Sequence, residues 1–186
     1  MIARSVGLGL AWVLLWAVSA SAQDYARNGV YLGLGGSYVL EDFDYSSDLL
    51  GDVDNGWGVH LRVGYRFMAN FSVEFSAELL EGLDASSFGE ELDALTLGVN
   101  GKVYLETGRL QPFLMLGVGM MRADRPKRNG ASLSEYNAFA ARFGGGLDIY
   151  ATEQLVVSLE ASYVLPDGDL EGLGYGSFGW GLQYRF

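Results

Sequence analysis

The chain has 186 residues, with 12 Lys and Arg against 23 Asp and Glu, a formal charge of −11 and no Cys. The acidic balance excludes a nucleic-acid-binding surface, which needs clustered basic side chains, and without Cys there is no disulfide, thiol nucleophile or thiolate metal site. Twenty-seven Gly, 13% aromatic residues and only three Pro suit many short strands better than a helical domain.

The first element is a leader. Arg4 is followed by an uncharged run from Ser5 to Val18 and then by Ala20-Ser21-Ala22. A positive start, a short apolar run and a small-x-small site together predict a secretory signal peptide over residues 1–22, cleaved before Gln23. The run is short for a membrane-spanning helix, which needs about 20 apolar residues. Residues 23–186 then form one domain by size, and no later stretch is apolar long enough to predict a helical span.

Eight segments follow in which apolar residues alternate with small or polar ones: Val30–Leu40, Trp57–Phe67, Phe71–Leu80, Leu95–Leu105, Leu110–Met121, Ala138–Tyr150, Leu155–Leu165 and Gly176–Phe186. Side chains of a strand switch faces at every residue, so each segment predicts a strand with one greasy and one polar face. Tilted strands of about ten residues are long enough to cross a bilayer as a barrel. Short connections at Met68–Asn70, Glu106–Arg109 and Ala151–Gln154 alternate with long ones at Glu41–Gly56, Glu81–Ala94, Arg122–Asn137 and Pro166–Tyr175. That is the layout of an up-and-down antiparallel transmembrane barrel with its short turns in the periplasm. Within the second long connection, Gly89 to Leu95 could wind into a helical turn.

Charge sharpens the reading. If the more apolar parity of each strand faces lipid, every charged strand residue faces inward: Arg62, Arg66, Glu74, Glu78, Lys102, Arg142, Asp148, Glu160 and Arg185, joined by His60. A lipid-facing Arg or Lys at mid-bilayer costs about 2–4 kcal/mol, so lipid contact demands such exclusion. The same parity in a soluble sandwich would place these charges outward around an apolar centre. An eight-stranded lumen is just wide enough for side chains to fill. Gly33, Gly35, Gly64, Gly98, Gly117, Gly119, Gly144, Gly146, Gly179 and Gly181 take inward parity and leave room for the long charged chains and for Tyr104 and Tyr150. Because unpaired buried charge is costly, a paired polar network in a narrow or plugged interior is expected.

The chain finishes on Phe178-Gly-Trp-Gly-Leu-Gln-Tyr-Arg-Phe186, in strict alternation. This ending resembles the C-terminal signature of bacterial outer-membrane barrels. The resemblance implies that Tyr184 and Phe186 are read by the barrel-assembly machinery. With Gly29-Val-Tyr-Leu-Gly-Leu-Gly-Gly-Ser-Tyr38 and Gln111-Pro-Phe-Leu-Met-Leu-Gly-Val-Gly119, the whole mature chain resembles the small eight-stranded barrels of the OmpA transmembrane-domain and OmpX type, in the outer-membrane β-barrel domain family. The resemblance implies a location in the outer membrane of Gram-negative bacteria. The sequence ends at the barrel, so attachment through a following peptidoglycan-binding domain is not expected.

His60 is the only His. As a catalytic base it would suit a lipid A deacylase barrel, but that family has a Ser two places on, where Arg62 stands here, and His60 takes inward parity. Asp52-Val-Asp-Asn-Gly56 has the look of a calcium loop, with compressed spacing and no distal Glu. Even so, Glu41, Asp42, Asp44, Asp48, Asp52 and Asp54 crowd one loop, and such oxygen clusters attract Ca²⁺ or Mg²⁺. In the third long connection Arg122, Arg125, Lys127 and Arg128 could clamp lipopolysaccharide phosphates, or simply be a solvated charged loop.

The expected function is a structural, envelope-supporting outer-membrane barrel with at most minor porin-like conductance. Adhesion or ligand binding through the extracellular loops is the alternative, and a lipid A-modifying enzyme the third reading. Outer-membrane lipid, lipopolysaccharide and the assembly machinery are the expected partners of a monomer. No cofactor is expected.

Overall fold

Alternation becomes strand where each face meets a different solvent. The computed structural model describes residues 25–41, 56–85, 90–124, 135–167 and 174–186. They form eight strands: β1 (Gly29–Glu41), β2 (Gly56–Met68), β3 (Phe71–Ala85), β4 (Glu90–Tyr104), β5 (Leu110–Asp124), β6 (Glu135–Tyr150), β7 (Leu155–Pro166) and β8 (Tyr175–Arg185). Each pairs antiparallel with its neighbour in the chain. β1 also pairs with β8, from Tyr31↔Arg185 to Glu41↔Tyr175, and so closes the barrel. No helix among the described residues is long and apolar enough to cross a membrane. A closed sheet crosses by another route, because it leaves no backbone group unpaired in hydrocarbon.

The strands run further toward the long-loop side than the alternation predicts. β3 and β4 continue to Ala85 and from Glu90, pairing Leu83↔Leu92, Asp84↔Glu91 and Ala85↔Glu90. Residues 90–95 are therefore strand and not a helical turn, and the second long connection shrinks to residues 86–89. β5 reaches Asp124, which puts Arg122 in a strand and not in a loop. The signal segment 1–22, the acidic residues Asp42 to Asp54 and the basic residues Arg125, Lys127 and Arg128 lie outside the described residues.

Burial is inverted relative to a water-soluble protein. Trp57, Val59, Leu61, Val63, Tyr65 and Phe67 of β2 are all exposed, whereas His60, Arg62 and Arg66 between them are buried. Leu116 at mid-β5 is 70% exposed while Glu74 is 0% exposed. A soluble sandwich with Arg62, Glu74 and Arg142 on its outside is thereby ruled out. At about 3.3 Å per residue and a tilt near 40°, the run from Trp57 to Phe67 rises about 25 Å, the height of the apolar band of an outer-membrane barrel. Aromatic contacts lie near both limits of the band. Trp57 meets Tyr38 and Trp180 edge-on at 5.0 and 6.0 Å toward the long-loop side. Phe67 stacks on Phe71 at 6.3 Å, and Tyr184 meets Phe186 at 5.1 Å, on the short-turn side. Amphipathic rings gather at such levels, where lipid gives way to water.

The short turns are held by side chains. Thr152 Oγ1 accepts hydrogen bonds from the Gln154 and Leu155 N–H groups. Gln111 Nε2 donates to the carbonyls of Thr107 and Gly108. Asn70 exchanges bonds with the Tyr104 backbone, its Nδ2 donating to the Tyr104 carbonyl and its own carbonyl accepting the Tyr104 N–H, both at 2.8 Å. These contacts fix the heights of β2 to β7 against one another, and so the levels at which inward side chains meet.

Candidate functional site

Inward positions stack in three tiers. The middle tier is an ion belt. Arg62 on β2 donates to both carboxylate oxygens of Glu160 on β7, at 2.6 and 3.0 Å. Lys102 on β4 lies 2.9 Å from Glu74 on β3 and 3.7 Å from Glu160, and Arg62 Nε is 3.8 Å from Glu74. Two cations and two carboxylates thus close into one ring of four charges. Above it Arg142 on β6 reaches Glu78 on β3 at 3.0 Å and donates from Nε to Ser162 at 3.1 Å. Arg62–Glu160, Lys102–Glu160 and Arg142–Glu78 each tie strands three places apart around the barrel, and all six charged residues are buried. Fork-shaped guanidinium–carboxylate contacts are among the stronger hydrogen bonds, and here they repay the loss of water that buried charge otherwise suffers.

The tier nearest the short turns is aromatic and cationic. Arg66 is fully buried and, among the described residues, has no carboxylate within salt-bridge distance. Its guanidinium donates instead to the Ala69 carbonyl, to Gln111 Oε1 at 2.6 Å and to Tyr150 Oη at 3.2 Å, and its carbon sits 4.0 Å from the centre of the Tyr104 ring. Cation–π contact strengthens when desolvated. Arg185 pairs with Asp148 at 3.3 Å, donates to Tyr104 Oη at 3.4 Å, and faces the rings of Tyr31 and Tyr150. Asp148 also accepts from Ser158 at 2.7 Å and from Gln183 at 3.3 Å. Tyr31 links this tier to the belt by donating to Glu74 at 3.1 Å.

The tier nearest the long loops is apolar. Val39, Leu80, Ala94, Met121, Ala138, Ala140, Val164 and Tyr175 form one buried cluster. The alternation reading does not single out this collar. Its signal is present where alternation fails, in Tyr38-Val39-Leu40, Leu79-Leu80, Met120-Met121 and Tyr163-Val164-Leu165, where both faces are apolar. The phenol of Tyr175 on β8 lies 3.3 Å from Thr96 Oγ1 on β4, the strand on the far side of the barrel.

All ten inward polar residues named from the sequence are buried: His60, Arg62, Arg66, Glu74, Glu78, Lys102, Arg142, Asp148, Glu160 and Arg185. His60 stands opposite Gly35 on β1 and Glu78 on β3. Its ring fills the space over Gly35, where an added Cβ would lie 2.6 Å from Nε2. It is enclosed in the lumen, away from the lipid face where an acyl chain would meet a base. Tyr184 and Phe186 are exposed on the outer wall, and the Phe186 N–H bonds the Val30 carbonyl at 3.1 Å, which extends the β8 ladder to the last residue. Arg122 is exposed on the outward parity of β5, near its long-loop end. No cluster of three or more His, Cys, Asp or Glu able to hold a metal occurs among the described residues.

A closed eight-stranded barrel with a lipid-type outer wall and an ionic interior defines a small integral outer-membrane protein. The sequence matches the outer membrane protein beta-barrel domain family over residues 9–186, and the chain belongs to that family. No curated protein sequence matches it. Among solved structures, it is similar to neisserial surface protein A (TM-score 0.71, 15% identity, covering 85% of this chain and 97% of that one). It is also similar to Ail, the attachment invasion locus protein of Yersinia pestis, in complex with the heparin analogue sucrose octasulfate (TM-score 0.60, 18% identity, 86% and 99%). OprG of Pseudomonas aeruginosa is a third (TM-score 0.59, 17% identity, 86% and 97%). At these identities the likeness is one of fold.

Proposed function

We propose that the protein is a structural component of the outer membrane that supports envelope integrity and passes little or no solute. The observation that carries this reading is the filled lumen: the ion belt, the aromatic tier and the collar occupy successive levels of the interior. The enclosure of His60 away from the lipid face supports a non-catalytic role. On this reading residues 1–22 direct export and are removed, the β8 edge with Tyr184 and Phe186 is recognised during assembly, and the finished barrel is a monomer in lipid and lipopolysaccharide. The test is a deletion strain. Leakage of periplasmic protein and sensitivity to detergent should rise and be restored by the intact gene, and an unchanged barrier would refute the role.

A second reading, recognition of anionic groups at the cell surface, is favoured by the exposure of Arg122 at the long-loop end of β5, just before Arg125, Lys127 and Arg128 in the chain. Guanidinium groups pair well with phosphate, so lipopolysaccharide is the partner proposed. Replacing all four residues with Ser should weaken lipopolysaccharide association, and equal association would refute it.

A further inference from the structure

We propose that the lumen is closed to ions by the apolar collar at its long-loop mouth, and that the ion belt beneath is a hydrated scaffold and not the closure. The proposal rests on the reading of the chain as a membrane-spanning barrel and adds which element shuts it.

The collar is built from β1 and β3 to β8. β2 contributes none of its residues, and there the ring is completed by Leu80, which lies across Gly58. A Cβ on Gly58 would come within 2.6 Å of Leu80 Cδ2, 2.6 Å of Ser37 Oγ and 2.9 Å of the Leu79 carbonyl, so glycine here gives Leu80 room beside the Ser37 hydroxyl. Val39, Leu80, Val164 and Tyr175 are each at most 2% exposed. Tyr175, held at Thr96, bridges the opening. An ion crossing this level must shed its water and meets only the Tyr175 and Thr96 hydroxyls, engaged with each other, with no carboxylate or guanidinium in the cluster to replace it. Constrictions of this kind gate by dewetting.

The tiers below are different in kind. Buried polar atoms are nearly always hydrogen-bonded, to protein or to ordered water. Here His60 Nδ1, Arg62 Nε, Glu74 Oε1 and Glu78 Oε1 on β2 and β3, and Gln183 Oε1 and Arg185 Nε on β8, are buried with no hydrogen-bond partner in the protein, and Ser37 Oγ on β1 is another, at the lower edge of the collar. Immediately under Ala140 and Val164 of the collar lies a cavity of about 10 Å³, lined also by Ser76, Thr96, Asn100 and Arg142. That is room for about one water. On this proposal water sits beside these polar atoms while the collar side chains offer it little, which makes the collar the higher barrier.

Single-channel recording of the refolded full barrel in planar bilayers tests this. The wild type should stay at baseline. Leu80→Ser with Val164→Ser should open it, with current rising about tenfold or more as the constriction wets. Glu160→Gln tests the rival, that the belt is the closure, and should leave the current at baseline. The proposal is overturned if the wild type conducts freely, if Glu160→Gln opens a channel while the collar is whole, or if the collar variant stays at baseline. Each protein is first checked for the folded band on unheated gels. If the Ser pair fails to fold, Leu80→Ala with Val164→Ala makes the same test. A chain that never inserts in bilayers would refute the barrel reading itself, whereas a folded, inserted collar variant without current would refute only the collar.

Discussion

Arg62 and Glu160, 98 residues apart in sequence, meet across the lumen through two hydrogen bonds of 2.6 and 3.0 Å. β2 and β7 share no backbone ladder, so this contact and its neighbours tie together walls that the sheet joins only through intervening strands. The belt acts as a set of internal struts.

Removing one end of a strut should cost far more than removing both. Glu160→Leu leaves Arg62 buried without its main partner, at an expected loss of about 3–5 kcal/mol. The double variant Arg62→Met with Glu160→Leu replaces the pair with apolar volume and should recover most of that loss. Urea unfolding of the barrel in lipid vesicles measures both. A double variant as unstable as the single one would show that the pair contributes more than charge compensation.

Gly64 faces the Tyr31 ring, and a Cβ there would lie 2.1 Å from the ring. Gly64→Ala should therefore push Tyr31 away from Glu74 and cost about 1–3 kcal/mol, as overpacking does. Adding Tyr31→Leu to make space should relieve the overpacking. Equal unfolding midpoints for wild type and Gly64→Ala would contradict the packing described for this tier.

The outer wall gives a test that separates a membrane barrel from a soluble one. Leu116 is 70% exposed at mid-strand. In water, Leu116→Arg would be nearly neutral. In a bilayer it should destabilise by about 2–4 kcal/mol. Folding yield into vesicles, read by the shift in gel mobility between unheated and boiled samples, should fall for this variant and not for Leu116→Ile.

Export should leave a defined end. Sequencing the N-terminus of protein recovered from outer membranes should begin at Gln23, as the Ala20-Ser21-Ala22 site predicts. An uncleaved Met1 would mean that the leader is retained as an anchor.

The strand faces were legible in the sequence because the pleat forces a period of two and lipid penalises any exception. Nine charges and one His therefore point to the lumen from parity alone. Which of them meet was not legible. Parity gives the face of a residue but not its height, and heights around a closed sheet depend on the stagger of all eight strands. Nothing in the chain near Arg62 announces Glu160. The extents of β3 and β4 are hidden in the sequence for a related reason. Glu81, Asp84, Glu90 and Glu91 read as an acidic loop, yet paired strands can continue beyond the hydrocarbon into water, where such charges carry little penalty. The collar is hidden in the sequence because it lies where both faces of a strand are greasy and the two-residue period fades.

The seam between β1 and β8 joins the first of the eight strands to the last. Until β8 arrives, the other seven form an open ribbon with two raw margins, and Asp148 on β6 waits for its counterpart Arg185. The molecule consequently has no safe half-finished state. An unpaired strand margin is a template for pairing with another chain, so a product cut short before Tyr175 should aggregate and not close into a smaller barrel.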